Sequence, residues 1–219
     1  GVAISVDGEI PKTNIVEVFK PDKPQVGRLG AVRIQGPLID FSPITAYFPT
    51  SIDVATNLAK YQEIREGLFK MCYWRLPSRS IKIVGVDANG HTGLMQMQAG
   101  WKMIQSPSLG SFGAERENHA GKLFRETCED LHFRAINTFY NCGKTFYSFT
   151  SQTSTATRPD YILVPAELHD NGRVLDCKIW EGASDKLQLI RRRRKADHRV
   201  IALKINLFVQ WSQIDHPPQ

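Results

Sequence analysis

A chain of 219 residues can bury roughly 70% of the surface it exposes when unfolded, so a sizeable core is available. With 42% hydrophobic and 23% charged residues, and no apolar run of about 18 residues, the composition excludes a disordered chain and a helical membrane span. Lys and Arg outnumber Asp and Glu 28 to 22, leaving a formal charge of +6 that favours a polyanionic partner. Part of that excess is the run "RRRRK" at 191–195, and such a run is more often a solvated loop than a binding site. No apolar leader opens the sequence, so no secretory address is expected. Cys72, Cys128, Cys142 and Cys177 match no metal-ligand spacing and are expected to be four free thiols.

In chain order, "VAISV" (2–6) and "NIVEVF" (14–19) are rich in β-branched residues and bounded by turn residues, which predicts strands. "LGAVRIQG" and "DFSPITAYFP" repeat the pattern. From Asp53 to Trp74 the period changes: Val54, Leu58, Tyr61, Ile64, Leu68, Met71 and Cys72 recur every three or four residues, predicting an amphipathic helix stopped by Pro77. "SIKIVGV" is nearly continuously apolar, the pattern of a strand covered on both faces. A Gly- and Ser-rich loop is expected from Asn89 to His119, then a shorter helix marked by Leu123, Phe124, Cys128 and Leu131. Strands are expected at "FRAINTF", "TFYSFT", "RPDYILV", "RVLDCKIW" and "RVIALKINL", and residues 209–219 as a polar tail. Many strands with two clear helices imply an α+β domain, two packed sheets with helices outside, spanning 1–208.

Four predicted strand ends carry chemistry. Tyr47 closes an apolar run before Pro49; Asp87 and Asn89 follow "IKIVGV"; Asp160 enters the strand "RPDYILV"; Asp197 and His198 precede "RVIALKI". Each alone has an ordinary explanation, as a rim tyrosine, a capping aspartate or a turn residue. Together they form the inventory of a metal-assisted phosphodiester hydrolase. Carboxylates hold a hard cation that neutralises charge at phosphorus, a carboxylate-oriented histidine moves or donates a proton, and Tyr and Asn donate to the developing oxyanion.

In order and spacing, "TAYFP", "VGVDANGHTG", "RPDYILV" and "ADHRVIAL" resemble the strand-end signatures of the endonuclease/exonuclease/phosphatase superfamily. The segment 108–140, with its Gly-rich loop, Asn-x-x-Gly, helix and Asn-Thr ending, is similar to the endonuclease domains of non-LTR retrotransposons. The resemblance implies a four-layered α/β sandwich of the deoxyribonuclease I type, a Mg²⁺ (or Mn²⁺) cofactor, DNA as substrate, a reverse transcriptase as a joined domain, and a nuclear location. It implies that Asp87 orients or deprotonates the attacking water and that Asn89 holds the water or the phosphate. His198, paired with Asp160, would contact the scissile phosphate, Asp197 would bind the metal, and Tyr47 would donate to a phosphoryl oxygen. Thr50, Arg116, Asn118, Arg158 and Arg191, Arg192, Arg193 and Arg194 are the residues it would place against nucleic acid, while His91 is expected to be structural.

The sequence departs from that pattern at its start, where strands ending in Asn and in the metal-binding Glu are absent, and at Ala196, where Ser is usual. The expectation is an N-terminally truncated domain with an exposed apolar edge and weak or no activity. Two other readings follow from the same residues: a nucleic-acid-binding module without catalysis, and a phosphatase acting on inositol or lipid phosphates.

Overall fold

The structure is a computed structural model and describes residues 4–5, 8–143, 145–151, 154–180, 183 and 198–207. Most of the "VAISV" segment, Arg191–Arg194, Asp197 and the 209–219 tail lie outside the described residues.

Alternating β-branched residues build β1 (Ile15–Phe19), β2 (Leu29–Gly36) and β3 (Ile39–Tyr47), an antiparallel meander. The three-four periodicity after Asp53 becomes α1 (Ala55–Lys70). Before Pro77 the helix widens into a π turn over Met71–Arg75, closed by Leu76 N–H donating to the Met71 carbonyl at 3.0 Å. The helix returns the chain to β4 (Ile81–Asp87), which pairs parallel with β3, as a helical crossover requires.

The segment 89–119, expected to be loop, contains three short strands, β5 (Gly93–Met97), β6 (Gly100–Met103) and β7 (Glu115–Arg116), ordered β6-β5-β7. Met95–Gln98 and Trp101–Met103 do alternate apolar and polar residues, but over only four and three positions between glycines, too short a run to stand out from a loop. Then come α2 (His119–Asp130), β8 (Phe133–Ala135), a hairpin of β9 (Phe149–Thr150) and β10 (Ala156–Thr157), and β11 (Asp160–Pro165). A short α3 (Ala166–Asp170) leads to the antiparallel ribbon β12 (Val174–Trp180) and β13 (Val200–Ile205).

The main sheet runs β1-β2-β3-β4-β11-β8. On one face α1 and α2 bury Tyr61, Ile64, Leu68, Phe124 and Cys128 against Ile44, Val84, Val86, Tyr161 and Leu163. Each such side chain contributes about 1.5–3 kcal/mol. Two aromatic stacks, Phe48 on Tyr61 at 4.4 Å and Phe124 on Tyr161 at 4.5 Å, fix the helices on the sheet. On the other face the β12–β13 ribbon forms a second core of Val164, Ile136, Leu168, Val174 and Cys177 with half-buried Ile81, Ile83, Ile201 and Leu203.

The architecture is thus the expected α+β class of packed sheets with helices outside. The full covering of β4 on both faces is not observed. Lys82, Val84 and Val86 are buried under the helices, whereas Ile81, Ile83 and Asp87 are half-buried and Gly85 is exposed. The edge strand β1 exposes Val16 and Val18, and all four cysteines are free and buried.

Candidate active site

Strand pairing creates the site. Tyr47 on β3 stands opposite Asp87 on β4, and Asp87 stands opposite Asp160 on β11. Residues paired directly across a sheet project from the same face, about 5 Å apart, so the three side chains form one row at one rim. Alternation along β4 puts that row on the ribbon face and away from the helices. The fourth member arrives with the ribbon: His198, bridged to Phe149 just before β13, sets Nδ1 2.9 Å from Asp160 Oδ2. One donor atom each from Asp87, Asp160 and His198 lie within 4.8 Å of one another.

Burial raises the Asp87 carboxyl to about 6, with the Asp160 charge adding to the rise, while the Asn89 backbone N–H and His198 oppose it. Two carboxylates and an imidazole converging this closely form a donor set suited to a hard cation, which would offset that excess negative charge. Beside them opens a cleft of about 190 Å³ lined by Asn89, His91, Phe149, Thr157, Pro159 and His198. A larger surface groove of about 390 Å³, lined by Arg65, Glu66, Phe69, Lys70, Trp74 and Asp130, holds none of these groups.

The turn after β4 is laced to its neighbours. Asn89 has φ +46° and donates its backbone N–H to Asp87 Oδ1 at 3.0 Å, an Asx turn, so turn geometry rather than strand alternation places it. Its Nδ2 donates to the Phe48 carbonyl at 2.8 Å, and Ala88 N–H to the Pro159 carbonyl at 2.8 Å. The β3, β4 and β11 ends are therefore tied together around the row. Part of the Asn89 amide that the resemblance assigns to water or phosphate is used in this lacing.

Asn118 and Gly121 explain the Asn-x-x-Gly motif in structural terms. Asn118 caps α2, its Oδ1 accepting from Gly121 N–H at 2.8 Å and from His91 N–H at 3.1 Å. A Cβ on Gly121 would sit 1.7 Å from the His91 carbonyl oxygen, so only glycine allows the 87–91 turn to rest on the helix. The Asn118 carbonyl oxygen is thereby committed to the backbone, while the residue itself stays exposed.

Arg158 was expected against nucleic acid, and the fold buries it. It is 2% exposed, stacked 5.3 Å from the Tyr161 ring centroid, and donates to the Phe112 carbonyl. It braces the 106–114 loop from within and does not face a ligand. Thr50 is exposed at the approach to α1, where its carbonyl accepts from Asn57 Nδ2. Tyr47 is half-buried beneath the Arg28 guanidinium, 4.8 Å from its ring centroid. Arg116 is exposed on β7. Asp197 and Arg191–Arg194 lie outside the described residues.

Sequence reasoning missed several contributors. Phe149 sets its ring 4.9 Å from that of His198, and Thr157 and Pro159 line the cleft. Buried Asn137 donates to the Asp160 carbonyl at 3.0 Å and accepts from Ile162 N–H at 3.2 Å, fixing the start of β11. A polar residue closing the apolar strand "FRAIN" was the available signal. His91, expected to be structural, is tied to Glu115 (Nδ1 to Oε2, 3.3 Å) and also lines the cleft.

No protein-family model matches the chain, and no curated protein matches it in sequence. Solved structures do match its fold. The endonuclease domain of TRAS1, a telomere-specific non-LTR retrotransposon, aligns at a TM-score of 0.52 and 15% identity over 87% of this chain and 69% of that one. The 3′-5′ exonuclease NExo from Neisseria meningitidis aligns at 0.56 and 13% identity over 87% and 70%. A structure of the Neisseria 3′ phosphatase NExo bound to a product DNA hairpin aligns at 0.58 and 13% over 88% and 71%. The chain therefore shares the fold of these structures, the deoxyribonuclease I-like fold that its motif order implies.

Proposed function

We propose that the chain is a metal-dependent phosphodiester hydrolase acting on DNA, an endonuclease of the retrotransposon type. The observation that carries this reading is the convergence of Asp87, Asp160 and His198 at three strand ends beside a cleft. Asp87 and Asp160, with Asp197, would hold Mg²⁺ or Mn²⁺, which when bound neutralises charge building up on the phosphate. The chain's own groups supply the rest. Asp160 accepts from His198 Nδ1–H and so fixes the ring with Nε2 on the far edge, where the imidazolium form would donate Nε2–H to a phosphoryl oxygen. Asp87, at the end of β4 in the middle of the row, would orient or deprotonate the attacking water. Tyr47 donates its hydroxyl to the same oxyanion, and the basic chain attracts the polyanion.

Nicking of supercoiled plasmid with Mg²⁺ or Mn²⁺, abolished by EDTA, tests the reading. Asp160→Asn and His198→Ala are each expected to lower the rate by about 10²–10⁴, and the double variant by little more than either alone, since the pair acts as a unit. Tight DNA binding in EDTA with no nicking under either metal would instead support a binding module without catalysis. Release of inorganic phosphate from an inositol phosphate with intact DNA would support a phosphatase.

A further inference from the structure

The β5–β6 hairpin, with β7 beside it, stands next to the site and takes no part in the chemistry derived above. Leu94 pairs with both Met103 and Arg116, and Gln96 pairs with Trp101, so Arg116 and Trp101 lie on one face of this small sheet. The Arg116 guanidinium sits 4.5 Å from the Trp101 ring centroid, and Trp101 remains 44% exposed. Arg33, Arg65, Arg79, Arg125 and Arg134 each hold a carboxylate, but Arg116 makes no ion pair among the described residues. From Ala88 to Ala114 the sequence contains no Asp or Glu.

We propose that Trp101 and Arg116 form a stacking plane for an unpaired base of the nucleic-acid strand that runs out of the active-site cleft. A guanidinium stacked on an indole keeps its N–H donors in its own plane, so Arg116 can cover the ring and still bind the neighbouring phosphate. Base-on-aromatic stacking tolerates any sequence, which suits a contact away from the reacting bond. Gln96, opposite Trp101, is five residues beyond His91 in the cleft wall, at most about 15 Å away for a fully extended chain. That distance spans about four or five nucleotides of a stacked strand. Charge selects this occupant over a protein: Arg116 beside Trp101 has no carboxylate partner among the described residues, its neighbours Glu115 and Glu117 being held by His91 and Arg125, whereas the groove around exposed Trp74 mixes Arg65 and Lys70 with Glu66 and Asp130.

The inference rests on the nucleic-acid reading above, and its test separates the two. The measurement is fluorescence anisotropy of a labelled 12-nucleotide single strand in EDTA, across a KCl series. Trp101→Ala is expected to weaken binding about tenfold at every salt concentration without changing the slope of log affinity against log salt. Trp101→Phe restores most of the loss, which distinguishes lost stacking from misfolding. Arg116→Ala weakens binding and lowers the slope by about 0.7, one phosphate contact on a single strand. If the wild type binds but Trp101→Ala and Arg116→Ala bind within twofold of it, the stacking plane is refuted and the nucleic-acid reading survives. If the wild type binds no single strand yet nicks plasmid, the stacking plane alone is refuted; if it binds none, leaves plasmid intact and hydrolyses an inositol phosphate, both are refuted.

Discussion

Asp87 shows what the site costs the fold. Its carboxyl is raised from 3.8 to about 6, first by burial and then by Asp160. Between about pH 4 and 6 the folded chain therefore keeps a proton that the unfolded chain has released. Metal-free stability falls as pH rises through that window and stays lower above it. Asp87→Asn removes the penalty: in EDTA at pH 8 it should stabilise the chain by about 1–3 kcal/mol, a Tm gain of several degrees, while abolishing nicking in Mg²⁺. Thermal melts at pH 4 and pH 8 check the sign, because the gain should vanish at the lower pH. At this scale the sequence was informative where a polar group interrupts an apolar strand, as at Asp87 and Asp160. It misled where the same residue type serves the interior: Arg158 lies in a polar-looking stretch, yet the fold buries it on Tyr161.

Among the elements, the junction of α2 with the turn after β4 carries the most consequence. Gly90 and Gly121 let the two backbones approach so closely that a Cβ on either would meet the other within 3 Å. Gly121→Ala is expected to cost several kcal/mol and to displace Asp87 and Asn89, giving a chain that melts early and does not nick DNA at any temperature. Asn118→Ala, which removes the cap and its contact with His91 N–H but adds no clash, should cost about 1–2 kcal/mol and leave the turn near its place. Melting both variants and measuring nicking well below their Tm separates backbone displacement from simple destabilisation. The periodicity of α1 and α2 was legible because each buries one face. The β5–β7 sheet was not, since its strands are exposed along most of their length and alternate apolar and polar residues over only three or four positions.

For the whole molecule, the row Tyr47–Asp87–Asp160 belongs to the main sheet and His198 to the ribbon, so the site exists only while the two layers stay packed. Fully buried Val164 and Leu68 probe the two cores separately. Val164→Ala, between sheet and ribbon, is expected to cost about 2 kcal/mol and to reduce nicking even at temperatures where the chain is fully folded, because His198 shifts. Leu68→Ala, under the helices, should cost about 2–5 kcal/mol yet leave the rate per folded molecule near wild type. Rates normalised to the folded fraction by circular dichroism decide between them. The sequence by itself determined the strand ends and the residue types placed there, because strand alternation and helical period are local properties of the chain. The tertiary structure decided which ends share a row, that His198 reaches Asp160 across 38 residues, and that Asn118 and Arg158 serve the scaffold. Register and burial depend on pairing between distant segments, and no local pattern encodes that.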